Sequence, residues 1–134
     1  MMKNRKVKRL PILIVGNEYD VSYARGKKAR DAIIEILYAL LQLIPQGYVT
    51  TYKELGSILG ISPRYVGKLL SLNTSPIAVP CHRVVKSNGS IGGYTINKRK
   101  SSEFKIKLLS LEGAKIRQDK VAKNMILSLK ELIN

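Results

Sequence analysis

The sequence predicts a small, mostly helical α+β domain built around a helix-turn-helix. The 134 residues fall within the length of one domain, and 45% of them are hydrophobic, which is enough for one compact core. Three helical patterns lie between residues 29 and 72, whereas the apolar runs elsewhere are mostly short. No run approaches the roughly 20 apolar residues of a membrane span, so we expect no membrane partner. We divide the chain into residues 1–28, 29–116 and 117–134.

Residues 1–28 are predicted to form a basic N-terminal extension. Five cations lie among the first nine residues, and two short apolar runs, residues 10–15 and 21–23, flank a Gly-Asn turn signal. This pattern is typical of a short hairpin. The basic N-terminus has no signal-peptide apolar stretch, so we expect a cytoplasmic or nucleoid-associated protein.

Residues 29–44 are predicted to form the first long helix. Apolar side chains recur there at spacings of three and four, which is the pattern of a core-facing helix. Pro45 is expected to end it.

Two short helices follow in a helix-turn-helix pattern. The first covers residues 52–59, with Thr50 or Thr51 as its cap and Gly60 at its end. The second begins with Ser62 as cap and Pro63 in the first helical position, and extends to about residue 72.

One side of the second helix carries Arg64, Gly67 and Lys68, which are spaced by three and four residues. A glycine within a helix costs about 1 kcal/mol relative to alanine. Gly67 therefore indicates either the close approach of a bulky partner, such as a sugar-phosphate backbone, or tight packing within the protein, and both interpretations stay open.

The only cysteine and the only histidine, Cys81 and His82, are adjacent. A thiolate is a strong nucleophile, and a neighbouring imidazole can take its proton. Pro80 restricts the chain just before them and can fix the direction of the sulfur. The alternative is an inert, buried cysteine. A single cysteine excludes an internal disulfide, and one Cys with one His cannot supply a four-ligand zinc site, so we expect no metal and no cofactor.

Residues 77–79 and 84–85 are predicted as short strands on either side of this pair, and residues 92–95 as a flexible glycine loop. A helix from Ser101 or Ser102 to residue 111 follows. Apolar residues at positions 121, 125, 129 and 132 predict a further amphipathic helix over residues 119–134.

The charge is the clearest compositional signal. Lys and Arg number 24 against 9 Asp and Glu, which gives a net charge of +15. Such an excess favours a polyanion through counterion release, although a basic protein without such a partner is the alternative.

Several motifs, in order along the chain, resemble those of the O6-alkylguanine-DNA alkyltransferases, also called methylated-DNA–protein-cysteine methyltransferases. Residues 80–85, Pro-Cys-His-Arg-Val-Val, are similar to the active-site signature of this family. Residues 44–55 resemble the stretch that leads into its DNA-binding helices, residues 88–94 its glycine-rich loop, and residues 108–113 its closing helix. The resemblance covers about residues 29–116. Relatives commonly carry a separate N-terminal domain, which these 28 preceding residues do not provide, and residues 117–134 would be an addition.

The resemblance implies a helix-turn-helix, winged-helix-like catalytic domain that acts as a monomer. Its activity would be irreversible, single-turnover transfer of an alkyl group from O6-alkylguanine, or O4-alkylthymine, in double-stranded DNA to Cys81. His82 would take the thiol proton, Glu112 would orient that histidine, and Asn73 would order the same network.

The resemblance also implies residues that hold the DNA. Arg64 would fill the space left by the flipped base, and Tyr52 would crowd the 3′ phosphate. The implied DNA-binding residues are Thr51, Tyr52, Arg64, Gly67 and Lys68. The implied substrate pocket consists of Pro80, Val84, Tyr94 and Thr95, with Thr95 in place of the more usual serine.

Two other functions fit parts of the sequence. An alkyltransferase-like damage-recognition protein would carry another residue at the cysteine position, so Cys81 argues against it. A helix-turn-helix regulator without catalysis would leave the Cys-His pair and the glycine loop unexplained. Mass spectrometry after incubation with methylated duplex DNA distinguishes these functions.

Overall fold

The computed structural model describes residues 13–15, 21–23, 26–92, 95–96, 99–100 and 102–133. The described helices are α1 (Gly26–Leu41), α2 (Tyr52–Leu59), α3 (Pro63–Leu70), α4 (Ser102–Leu111) and α5 (Leu129–Ile133). The described strands are β1 (Leu13–Val15), β2 (Val21–Tyr23), β3 (Thr50–Thr51), β4 (Val84–Val85), β5 (Thr95–Ile96), β6 (Arg99–Lys100), β7 (Ile116–Arg117) and β8 (Lys120–Val121). They pair as β1-β2, β3-β4, β5-β6 and β7-β8. The predicted mostly helical α+β class is confirmed.

Helix α1 is the core helix that the apolar spacing predicts. It begins three residues before the predicted start and ends at Leu41, after which 3₁₀-type hydrogen bonds continue the turn to Ile44. Its buried side chains are Ile33, Leu37, Leu40 and Leu41. Pro45 therefore follows a 3₁₀ extension of the helix, since proline cannot continue the hydrogen-bond pattern.

The helix-turn-helix is confirmed by α2 and α3. Thr51, not Thr50, caps α2, because its side-chain oxygen accepts a hydrogen bond from the Glu54 amide at 3.0 Å. Gly60 ends α2 in the left-handed conformation, with φ at 73°. Ser62 caps α3 in the same way, and α3 ends at Leu70, two residues before the predicted end.

The turn between these helices is tight at the level of the backbone. The Gly56 carbonyl accepts hydrogen bonds from the amides of Gly60 at 2.8 Å and Ile61 at 3.0 Å. A Cβ atom at Gly56 would lie 2.5 Å from the Ile61 carbonyl oxygen, which no real side chain tolerates. Glycine is therefore required at this position of α2, where the helix packs against the turn.

Strand β3 pairs in parallel with β4, with Thr50 opposite Val84 and Thr51 opposite Val85. The start of α2 is thereby tied to the segment that follows Cys81. The strand predicted over residues 77–79 is wrong. The Val79 amide bonds back to the Ser75 carbonyl, and Cys81–Arg83 forms a 3₁₀ turn in place of an extended chain.

The helix predicted over residues 119–134 is wrong except for its last turn, α5. Strands β7 and β8 form an antiparallel hairpin whose turn residues, Gln118 and Asp119, have φ values of 53° and 61°. The Val121 amide bonds to the Gly89 carbonyl, so this backbone is paired outside any helix. The apolar spacing still has a packing role, because Val121 and Leu129 are buried, whereas Leu132 is 54% exposed.

In the N-terminal segment, β1 and β2 form the predicted hairpin, with Leu13 opposite Tyr23. The other predictions for residues 1–25, including the basic tail, concern residues outside those that the structure describes. No helix in the part of the chain that the structure describes is long and apolar enough to cross a membrane.

Candidate active site

Cys81 lies at the start of the 3₁₀ turn, directly after the buried Pro80, and is 6% exposed. The side-chain amide of Asn73 donates to the Cys81 Sγ at 3.2 Å and to the Val79 carbonyl at 3.0 Å. The Asn73 Oδ1 accepts from the Ser75 amide at 2.9 Å, which fixes the orientation of the amide. A donor held in this way stabilises negative charge on the sulfur.

His82 follows on the same turn and is fully buried. Its Nε2 atom lies 3.0 Å from the Glu112 Oε1, which the end of α4 brings to the site. Burial lowers the pKa of His82, and Glu112 only partly opposes this, so the imidazole is neutral at neutral pH. The carboxylate favours the tautomer with the proton on Nε2, which leaves the proton-accepting lone pair on Nδ1.

Arg83 holds the carboxylate of Glu112 with two parallel hydrogen bonds. Its Nε donates to Oε1 at 3.0 Å and its Nη2 donates to Oε2 at 2.7 Å, while Nη1 donates to the Ile44 carbonyl at 2.6 Å. Burial raises the pKa of Glu112, but the hydrogen bonds from Arg83 and His82 outweigh it, so this pKa lies below its ordinary value. Glu112 is therefore ionised when it orients His82.

Lys105 of α4 is fully buried beside Tyr52, its Nζ atom 3.4 Å from the phenol oxygen and 5.6 Å from the ring centre. Burial lowers the pKa of Lys105 to about 8, with Lys86 adding to this and negative charge on Cys81 opposing it. Burial also raises the pKa of Tyr52 to about 12, to which Cys81 contributes. A cation and a phenol thus lie within electrostatic reach of the sulfur.

Sequence reasoning assigned no role to Arg83 or Lys105. Arg83 lies inside the quoted motif, and its planar fork is the group that grips a carboxylate with two bonds. Lys105 lies on the α4 stripe that contains Leu108, Leu109 and Glu112, at spacings of three, four and seven residues. A lysine within an apolar stripe of a helix indicates a buried cation, and this pattern would have identified Lys105.

The implied DNA-binding residues cluster around the start of α2 and the side of α3. Arg64 and Lys68 are exposed on α3, and Thr51 caps α2. A Cβ at Gly67 would lie 3.8 Å from the Tyr52 ring, which is ordinary contact, so internal packing does not demand glycine there. Close approach of a partner such as a sugar-phosphate backbone therefore stays a prediction for Gly67.

The implied pocket residues are only partly covered by the structure. Pro80 and Val84 are buried next to Cys81. Tyr94 lies outside the described residues; Thr95 belongs to β5, but its side chain is not among those described. The roles of all these residues stay predictions. Within the described ranges, no three Cys, His, Asp or Glu side chains converge to hold a metal ion.

Similarity to known proteins covers the part of the chain that forms this site. The family model described as "6-O-methylguanine DNA methyltransferase, DNA binding domain" matches residues 33–114. A methylated-DNA–protein-cysteine methyltransferase of Pyrobaculum aerophilum is 55% identical over 84 residues, which is 61% of this chain and 54% of that protein. One of Saccharolobus solfataricus is 49% identical over 73 residues, 54% of this chain and 45% of that protein. The chain thus spans about half the length of these relatives.

Solved structures show the same similarity. O6-methylguanine-DNA methyltransferase of Pyrococcus kodakaraensis superposes with a TM-score of 0.51 at 42% identity, over 60% of this chain and 45% of that one. Atl1 of S. pombe, in complex with damaged DNA containing O6-carboxymethylguanine, superposes with a TM-score of 0.57 at 30% identity, over 66% of this chain and 82% of that one.

Proposed function

The chain belongs to the 6-O-methylguanine DNA methyltransferase family, and from this premise we propose that it repairs DNA by moving an alkyl group from O6 of guanine to Cys81. The observation that carries the proposal is the arrangement around the one cysteine. Asn73 donates to its sulfur, and the adjacent His82 is oriented by the ionised Glu112. A nucleophile and a base thus follow each other in the chain, and each has its own hydrogen-bonded partner, as a nucleophile with an oriented base requires.

The proposed reaction begins with transfer of the thiol proton from Cys81 to Nδ1 of His82, through a water molecule. The sulfur then attacks the alkyl carbon, a C–S bond forms, and the C–O6 bond breaks with its electron pair going to guanine. Guanine gains a proton that balances the one lost by the thiol. A thioether is not hydrolysed under these conditions, so each protein molecule reacts once.

The surrounding residues stabilise the charges that this reaction creates. The Asn73 N–H donates to the Cys81 sulfur at 3.2 Å, and the buried ammonium of Lys105 adds positive charge in the same part of the site. The hydroxyl of Tyr52, held near Lys105, is a protonated phenol at neutral pH, and burial, which raises its pKa to about 12, keeps it protonated in alkaline solution as well. It is therefore able to donate a hydrogen bond to the departing purine.

Double-stranded DNA is the partner that fits this surface. A thiol buried to this extent reaches a guanine only if the base leaves the stack. The exposed Arg64, next to the cap of α3, supports a role in filling the space that the base vacates. One chain supplies Cys81 and all the groups of its network, so we propose that it acts as a monomer.

The test is mass spectrometry of the protein after incubation with O6-methylguanine duplex DNA. We expect one methyl group per molecule, mapped to the Cys81 peptide, and no further product over hours. The Cys81→Ser variant should bind the same duplex with unchanged affinity and gain no methyl group, because affinity comes from the basic surface. Methylation of the serine variant, or product in excess of protein, contradicts the proposal. Tight binding of damaged duplex without any transfer by the wild type would favour damage recognition alone.

A further inference from the structure

The hairpin β7-β8 and the turn after it form a basic surface that the family match does not include. That match ends at residue 114, whereas Arg117, Lys120 and Lys123 lie beyond it and are exposed. Only one acidic residue, Asp119, lies among them. We call Arg117, Lys120 and Lys123 the hairpin cations.

The hairpin is fixed to the loop that borders the candidate active site. The Val121 amide donates to the Gly89 carbonyl at 2.9 Å, and the Ile91 amide donates to the Asp119 carbonyl at 3.0 Å. Lys120 also forms a bridge with Ser90. A Cβ at Gly89 would lie 2.9 Å from the Val121 carbonyl oxygen, so the two backbones pack too closely there for a side chain to fit between them.

The same loop continues directly to Tyr52. A Cβ at Gly92 would lie 3.9 Å from the Tyr52 hydroxyl and 3.6 Å from the Lys86 Cε. The Lys86 amide in turn donates to the Ser90 carbonyl at 3.0 Å, opposite Lys120. The exposed Lys86 therefore connects the hairpin cations to the site where the base would enter.

The backbone that carries the hairpin cations is held in place by main-chain hydrogen bonds and by buried side chains. Val121 is buried, the Val49 amide donates to the Met125 carbonyl, and the Leu127 amide donates to the Val49 carbonyl. Leu129 then anchors the following helix in the core. Cations on an ordered backbone lose less conformational entropy when they bind than cations on a free tail.

We propose that the hairpin cations bind the phosphate backbone of DNA beside the extruded nucleotide and so extend the contact surface of the helix-turn-helix. The inference rests on the proposed function. Lysine and arginine side chains that contact phosphates position a protein without reading bases, which suits repair in any sequence. The hairpin cations would thereby add affinity and leave the chemistry to Cys81.

The test compares two variants that lose the same charge. Arg117→Gln, Lys120→Gln and Lys123→Gln are combined in one variant, and Lys27→Gln, Lys28→Gln and Arg30→Gln, all exposed near the start of α1, form the control. Binding to O6-methylguanine duplex is measured as a function of salt concentration. Each phosphate contact contributes about 0.9 to the magnitude of the log–log slope. We expect the hairpin variant to lose about 2 to 3 from this magnitude and the control to lose less than about 1.

Equal losses of slope in the two variants would overturn the proposal, because they would report net charge alone. Reaction with free O6-methylguanine serves as the second measurement, since it needs no DNA backbone. An unchanged rate for the hairpin variant supports the proposal, and a rate reduced as much as duplex binding would assign the residues to folding and overturn it. If the wild type binds DNA but transfers no methyl group to Cys81, the proposed function fails, and the slopes still decide the binding surface separately.

Discussion

Replacing Lys105 with methionine should stabilise the fold while it slows alkyl transfer. The side chain is fully buried, and its pKa falls from 10.5 to about 8 mainly because burial disfavours the charged form. At 1.36 kcal/mol for each pH unit, this difference corresponds to a cost of about 3 kcal/mol. Methionine is an unbranched apolar side chain that can fill the space of the lysine methylene groups without carrying a charge. Loss of the hydrogen bond to Tyr52 offsets about 1 kcal/mol, so we expect a net gain of about 2 kcal/mol at neutral pH.

The pH dependence of stability provides the sharper measurement. Between about pH 8 and pH 10.5 the unfolded chain holds the Lys105 proton while the folded chain has released it. The free energy of unfolding of the wild type should therefore rise with pH across this window and carry the full cost below it. Urea unfolding at several pH values measures this rise, and the wild type should approach the Lys105→Met variant at the alkaline end.

The matched control is Lys107→Met, because Lys107 is exposed on the same helix. It should leave both the stability and its pH dependence nearly unchanged, within about 0.5 kcal/mol. Single-turnover methyl transfer at neutral pH should be slower only in the Lys105 variant, since that variant loses the buried positive charge and the hydrogen bond to Tyr52. Parallel stability curves for wild type and Lys105→Met, or a variant less stable at neutral pH, would refute the argument.

Three further outcomes follow from the site. Glu112→Gln should lower the single-turnover rate on the order of 100-fold by removing the charge that orients His82; a rate at saturating protein equal to the wild type would exclude that role. Gly67→Ala should raise the free energy of unfolding by about 1 kcal/mol and weaken duplex binding; unchanged affinity would leave only a helix-propensity effect. Arg64→Ala should slow the saturated reaction with duplex DNA and spare free O6-methylguanine, and identical duplex rates in stopped-flow would rule out a part in base flipping.

The elements that follow from local chemistry were predicted well. The bounds of α2 and the start of α3 were confirmed because the caps Thr51 and Ser62 bond to amides three residues ahead, within a single turn. Such contacts depend only on neighbouring residues. The end of α4 likewise precedes Gly113, whose φ of 97° favours glycine.

The C-terminal segment shows where local pattern fails. The apolar residues at positions 121, 125, 129 and 132 have the spacing of an amphipathic helix. The same residues occur here in a hairpin, in the 3₁₀ turn that follows it and in the short helix α5. The sequence contains no glycine signal for this hairpin turn, because its two positive-φ residues are Gln118 and Asp119. The deciding contacts, between the Val121 amide and Gly89 and between Leu127 and Val49, join residues far apart in the chain. Tertiary pairing of this kind overrides periodicity.

The candidate site was predicted only in part for a related reason. Cys81, His82 and Glu112 carry recognisable chemistry, and the structure places Asn73 against the Cys81 sulfur and Glu112 against His82, the next residue in the chain. The burial of Lys105 was not predicted, because lysine side chains are seldom fully buried and are therefore expected to be exposed to solvent. Its burial depends on Tyr52, which lies 53 residues away in the chain.

At Gly56 the backbone of α2 lies directly against the turn that leads into α3, because a Cβ there would lie 2.5 Å from the Ile61 carbonyl oxygen. A turn packed against the helix in this way leaves little room for a shear motion, in which packed helices slide past each other. In the proposed complex the DNA, rather than the helix-turn-helix, would therefore change its conformation, by bending and by unstacking bases. The surrounding bases would therefore influence repair without being touched: a lesion beside a flexible pyrimidine–purine step should be engaged more readily than the same lesion within a stiff A-tract.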